Sequence, residues 1–212
     1  MNEELERYIN RMSSPEEELL AELDRVTHLR AVMPQMMSGH VQGRLLSMLC
    51  RMLRPRRILE LGTFTGYATL CMAEGLPSDG VIDTIEIDEE LSAISQPYFD
   101  RSPYGGKIRT HQGAALDVAP NLGEIYDLVF IDADKRQYPD YYRMLMSVPL
   151  VGSGSYILAD NILWYGKVVE TLRETDVQTH KIMEFNELVL ADQRVENVII
   201  PLRDGLNLIR VK

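Results

Sequence analysis

Ile58-Leu59-Glu60-Leu61-Gly62-Thr63-Phe64-Thr65-Gly66-Tyr67 is the stretch on which the fold turns. A short apolar run reaches a turn with two glycines, and helical spacing of apolar residues starts at Tyr67. The same change of period repeats downstream. It predicts strands over 58–61, 81–87, 108–111, 128–131 and 155–159, separated by helices over 67–74, 89–99, 114–122 and 138–146. Such alternation gives a parallel sheet covered on both faces. A last helix over 177–191 precedes strands over 195–200 and 206–211, whose connector, 201–205, is too short for a crossover and predicts an antiparallel hairpin. The expected architecture is α/β and Rossmann-like: a seven-stranded, mostly parallel sheet with an antiparallel C-terminal hairpin strand.

Upstream, three helices are expected. Leu5, Tyr8, Ile9 and Met12 recur at helical spacing. Ser14-Pro15-Glu16-Glu17 reads as a cap and first turn, so a second helix begins near Pro15 with Leu19, Leu20, Leu23 and Val26 as its stripe. Leu45, Leu46, Leu49 and Met52 mark a third that ends before Pro55. Residues 1–54 are thus expected as N-terminal helices and 55–212 as the core of a single domain, for which 212 residues suffice. The composition, 45% hydrophobic and 25% charged, is that of a globular protein. Apolar runs of strand length argue against a membrane span. Lys+Arg 22 against Asp+Glu 32 leaves a net charge of -10, which disfavours phosphate backbones and anionic membranes as partners. No basic-then-apolar leader opens the chain, so a cytoplasmic location is the default expectation. Cys50 and Cys71, without a CxxC pair, read as buried free thiols. His28, His111 and His180 show no partner at useful spacing.

In an open α/β sheet ligands bind beyond the carboxyl ends of the strands. Here four of the first five strands carry or meet acids there: Glu60; Glu86 and Asp88; Asp132 and Asp134; Asp160 followed by Asn161. Any one of these is most simply a helix cap. Together they would repel one another unless a cation or polar ligand compensates, which favours a site. The glycine turn lacks the third glycine of the dinucleotide fingerprint and the Lys-Ser/Thr of a triphosphate loop. Glu86, ending the next strand, suits ribose hydroxyls, so a nucleoside-containing cofactor without polyphosphate fits best. Asp132, Asp160 and Asn161 are hard oxygen donors suited to Mg²⁺, Mn²⁺ or Ca²⁺. Lys135, three residues beyond Asp132, is a candidate base, its bland alternative being a solvated lysine. Trp164 either packs in the core or walls a flat substrate.

These residues resemble the cation-dependent class I O-methyltransferases of bacterial type, a family that includes caffeoyl-CoA O-methyltransferase and, more distantly, catechol O-methyltransferase. The similar stretches are 36–43, 58–67, 130–135 (Phe-Ile-Asp-Ala-Asp-Lys), 159–161 (Ala-Asp-Asn) with Leu163-Trp164, and 201–205 (Pro-Leu-Arg-Asp-Gly). The resemblance implies methyl transfer from S-adenosylmethionine to a hydroxyl of a vicinal diol on an aromatic ring, dependent on a divalent cation, Mg²⁺ first. It places Ser38, Glu60, Gly62, Thr63, Ala68, Glu86, Ala115 and Asp134 at the cofactor. Asp132, Asp160 and Asn161 become metal ligands, Asp132 and Lys135 the catalytic pair, and Trp164 and Tyr165 the substrate wall. Ala68 stands where plant members carry serine, Gln42 where glutamate is common, and Tyr165 where plant enzymes carry asparagine. These departures point to small catechols and away from coenzyme A thioesters. The resemblance, with the amphipathic N-terminal helices, also implies a homodimer. Two other readings stay open: methylation of a hydroxylated uridine in transfer RNA, greeted by Arg51, Arg54, Arg56 and Arg57, and a non-catalytic sensor of S-adenosylmethionine.

Overall fold

The computed structural model describes residues 3–212. Three helices come first: α1 (Glu3–Met12), α2 (Glu18–Arg30) and α3 (His40–Leu53). Then β1 (Arg57–Leu61), α4 (Tyr67–Gly75), β2 (Val81–Glu86), α5 (Glu89–Arg101), β3 (Ile108–Gln112), α6 (Ala115–Val118), β4 (Leu128–Ile131), α7 (Tyr138–Ser147) and β5 (Tyr156–Asp160) alternate. The chain closes with α8 (Val177–Ala191), β6 (Val195–Ile200) and β7 (Leu206–Val211). The strands form one sheet in the order β3-β2-β1-β4-β5-β7-β6. β1 to β5 pair in parallel, whereas β7 is antiparallel to both β5 and β6. The connector over 201–205 therefore makes the hairpin that its length predicts. Strand order reverses between β1 and β4, the position where such sheets open a crevice.

Alternate residues of the central strands feed opposite faces, and both faces are covered. Leu59, Val129 and Ile157 pack with Tyr138 and Tyr142 of α7 and Phe185 of α8, while Ile58, Phe130 and Leu158 pack with Leu46 of α3 and Met72 of α4. Each fully buried side chain of this size stabilises the fold by about 1.5–3 kcal/mol. A third cluster seats Leu20 and Leu23 of α2 on Tyr67, Cys71, Tyr98 and Phe99. Cys50 and Cys71 are buried free thiols, which burial pushes up to about 12. Among the described residues no helix is long and apolar enough to cross a membrane.

Most boundaries lie within two residues of expectation, and three differences have a local reason. α2 begins at Glu18 without a side-chain cap, because the Tyr67 hydroxyl donates to Glu16 and holds 13–17 in a tertiary contact. The expected helix over 114–122 shrinks to α6 and a 3-10 turn, since Pro120 supplies no N–H. β2 stops before Ile87, whose N–H turns back onto the Glu86 carboxylate. His111, read as partnerless, has its Nε2 2.8 Å from Oδ1 of the buried Asp83, a contact across β2 and β3 that chain spacing hides.

Candidate active site

The turn after β1 is tied to its neighbours through backbone. Gly62 and Thr63 N–H both donate to Ile85 O on β2. At Gly62 φ is +97°, and a Cβ would lie 2.4 Å from Asp132 O, so only glycine lets the turn rest against the end of β4. Glu86 Oε2 accepts from Phe64 N–H at 2.8 Å, and Oε1 accepts from Ile87 and Asp88 N–H at 2.9 Å. A carboxylate has about four lone-pair positions, so Oε2 retains one for a ligand hydroxyl. Burial pushes the Glu86 carboxyl up, against the pull of those three donors.

Glu60 lies deeper. It is 0% exposed, accepts from the Thr69 and Thr84 hydroxyls through Oε2, and keeps Oε1 unpartnered. Burial pushes this carboxyl up to about 8. Thr63 reaches it through Thr84, hydroxyl to hydroxyl at 2.5 Å. Ser38, Ala68 and Ala115 are also buried, Ala68 and Ala115 within the clusters on opposite faces of the sheet.

Because β4 and β5 are adjacent and parallel, their ends deliver Asp132 and Asp160 to one place. Lys135 is not a solvated lysine: it is 6% exposed, and its Nζ donates to Asp132 Oδ1 at 2.6 Å and to Tyr138 Oη at 2.7 Å. Tyr138 Oη in turn donates to the Asp160 carbonyl at 2.9 Å. Asp160, 2% exposed, is pushed up to about 6 by burial and then by the charge of Asp132, while Lys135, Gln42 and the Asn161 N–H pull the other way. One ammonium thus faces two carboxylates.

Around this pair, segments from distant parts of the chain interlock. Arg203 Nη1 donates to Met37 O at 2.9 Å, and Tyr165 N–H donates to Asp204 Oδ1 at 2.5 Å. Phe64, Asn161, Trp164, Tyr165 and Arg203 all adopt positive φ in these turns, a conformation that costs non-glycine residues energy and marks functional loops. The Trp164 and Tyr165 rings lie 5.5 Å apart, and Tyr165 is 74% exposed. Asp134 is engaged within its own loop. It accepts from Arg136 N–H at 3.0 Å and pairs with the Arg136 guanidinium, which holds its carboxyl low. Asp88 likewise caps α5 by accepting from Glu90 N–H at 2.9 Å.

Tyr138, Gln42 and Asp204 belong to this constellation, and the sequence assigned none of them a role in it. Asp204 has a buried, unpartnered Oδ2, and burial pushes its carboxyl up against the charge of Lys135. Only the Asp-Gly pair of its turn signalled it. Gln42 Nε2 donates to Asp160 Oδ2 at 2.6 Å. Of the basic strip, Arg51, Arg56 and Arg57 are paired with Glu74, Asp79 and Glu124, which weakens it as a platform for RNA.

The residues fit a hard divalent cation. The buried Asp160 and the half-buried Asp132 lie close to one ammonium, Asn161 adds an amide, and the buried Gln42 Oε1 has no partner. Among the described residues no group of three or more His, Cys, Asp or Glu gathers to hold a metal.

Known proteins bear on this geometry. The sequence model of a family described as O-methyltransferase matches residues 10–212. A catechol O-methyltransferase of Niastella koreensis is 32% identical over 99% of this chain and 97% of its own. A caffeoyl-CoA O-methyltransferase of Populus kitakamiensis is 36% identical over 99% and 94%. An O-methyltransferase from Bacillus cereus, solved in complex with SAH, superposes with a TM-score of 0.90 at 28% identity, covering 98% of this chain and 97% of that one. With both the motifs and the sheet shared along nearly its whole length, the chain belongs to the O-methyltransferase family and is an enzyme.

Proposed function

We propose that the enzyme moves a methyl group from S-adenosylmethionine to one hydroxyl of a vicinal diol on a small aromatic ring, with a divalent cation, Mg²⁺ first, at Asp132, Asp160 and Asn161. The observation that carries this reading is the buried Lys135–Asp132 pair, joined through Tyr138 to Asp160 and backed by the Gly62 turn. Relatives named for catechol and caffeoyl-CoA acceptors, and a structural neighbour holding SAH, agree with it.

Glu86 accepts from ribose hydroxyls, with Gly62, Thr63, Ser38, Ala68 and Ala115 bordering the cofactor, Glu60 supporting the turn from beneath and Asp134 at its rim. Trp164 and Tyr165 wall the aromatic ring. A divalent cation held by Asp132, Asp160 and Asn161 would supply acidification and positioning of the acceptor hydroxyl. The acceptor oxygen attacks the methyl carbon, the C–S bond breaks with its electron pair going to sulfur, and the hydroxyl proton passes to Lys135 Nζ once that ammonium has given a proton to solvent. Labelled S-adenosylmethionine offered with a catechol panel and with bulk transfer RNA, before and after chelation, tests the reading. Label should enter catechols only, and should stop on chelation. Full catechol methylation after exhaustive chelation defeats the cation role, and label in transfer RNA alone defeats the acceptor class.

The same proposal includes a homodimer. Leu5, Tyr8 and Met12 of α1 and Met48 and Met52 of α3 are exposed, an apolar surface that a second copy would cover. Sedimentation showing only monomer at micromolar concentration counts against it.

A further inference from the structure

Gln42 occupies the first turn of α3 and is 0% exposed, yet half of its amide is unused. Its Nε2 donates to Asp160 Oδ2 at 2.6 Å, while Asp160 Oδ1 accepts from the Asn161 N–H at 2.7 Å. Two donors on different oxygens fix the plane of that carboxylate. A hydrocarbon side chain would fill the same space without either atom, so an amide here needs a reason. A carboxylate accepts only, so the amide must turn its nitrogen toward Asp160, and Oε1 is left to receive a donor from somewhere else. It receives none from the protein. His40 Nδ1, on the same turn, is buried without a partner as well. Buried polar atoms left single in this way are uncommon, and each calls for a missing water, ion or ligand.

We propose that Gln42 is a positioning residue of the cation site: Nε2 orients Asp160, and Oε1 accepts a hydrogen bond from a water carried by the bound cation. This rests on the cation reading given above. Small divalent cations keep several of their waters when they bind protein carboxylates, and such waters are strong donors. Groups that orient a metal ligand without touching the metal typically govern affinity by roughly ten- to hundredfold.

The test is direct Mn²⁺ binding to the full chain, read from the loss of the free-ion electron paramagnetic resonance signal, with SAH affinity measured alongside by calorimetry. Gln42→Met keeps the length of the side chain and removes both polar atoms. It should weaken Mn²⁺ binding by roughly ten- to hundredfold and leave SAH affinity unchanged. Gln42→Asn draws both polar atoms back by one carbon, away from Asp160, so it should also weaken Mn²⁺ binding, and it decides the matter should Gln42→Met not fold. Wild-type protein that binds no Mn²⁺ overturns the cation reading and this assignment together. Binding by the wild type that Gln42→Met leaves within twofold overturns the role of Gln42 alone, as does, should that variant not fold, Mn²⁺ binding by Gln42→Asn within twofold of the wild type.

Discussion

The two halves of the crevice, which we propose take the cofactor and the acceptor, are held in different ways. On the cofactor side Glu86 is fixed by three backbone N–H groups, those of residues 64, 87 and 88, all in the turns that adjoin it. On the acceptor side Asp132 and Asp160 are fixed largely by side chains: Lys135 and Gln42, the latter 118 positions from Asp160. A backbone donor survives any substitution except proline, whereas a side-chain donor disappears with one change of residue. The cofactor half should therefore tolerate change around it, and the acceptor half should lose function abruptly.

Lys135→Ala attacks this contrast where the effect is largest. Turnover should fall by roughly a hundred- to ten-thousandfold, the usual cost of losing a general base, while S-adenosylmethionine affinity by calorimetry stays unchanged. Raising the pH should recover rate, because hydroxide can take the proton. A parallel loss of cofactor affinity would show that the halves are one unit.

Glu60 departs from the pattern, being in the cofactor half yet held by side-chain hydroxyls. Its carboxyl sits at about 8 in the fold against an ordinary value of 4.5. A group raised in this way contributes stability that is fully present below the unfolded value and is lost as pH climbs through the folded one. The window is therefore pH 4.5 to 8, and the loss across it is on the order of a few kcal/mol. Glu60→Gln has nothing to titrate, so its melting temperature should gain on that of the wild type between pH 5 and pH 9. Parallel melting curves across that range would show that Glu60 is ionised throughout.

Glu86→Ala measures what the backbone cradle serves. Loss of charge-assisted hydrogen bonds to ribose should weaken S-adenosylmethionine binding by about 1.5–3 kcal/mol per bond, with Mn²⁺ affinity untouched. Unchanged cofactor affinity removes Glu86 from the site. The smallest effect belongs to Asp88, two residues on. As a helix cap, Asp88→Ala should cost about 1 kcal/mol of stability in urea and leave both ligands bound as before. A change in cofactor affinity would promote it from cap to ligand.

The alternation of strand and helix, the hairpin and the acidic strand ends could all be read from the chain, because hydrophobic period and turn chemistry act over a few residues and mark each element locally. Gly62 and Gly66 were legible for the same reason, each having positive φ at a turn that the flanking strand and helix announce. Lys135 was visible only as a choice between base and surface, and its burial removes the surface alternative. What local pattern could not carry is the set of contacts made across the sheet. Gln42 meets Asp160, Arg203 meets Met37, and Asp83 meets His111 because strand order and crossover length bring them together. Tyr138 stands in the sequence only as the start of a helix; that its hydroxyl joins Lys135 to the Asp160 carbonyl depends on β4 and β5 being neighbours. The strained turns at Trp164, Tyr165 and Arg203 were equally hidden, since nothing in residue type favours positive φ there. Local chemistry chose the elements, and the tertiary structure, by setting distances between residues far apart in the chain, chose which polar atoms satisfy one another and which remain open to a ligand.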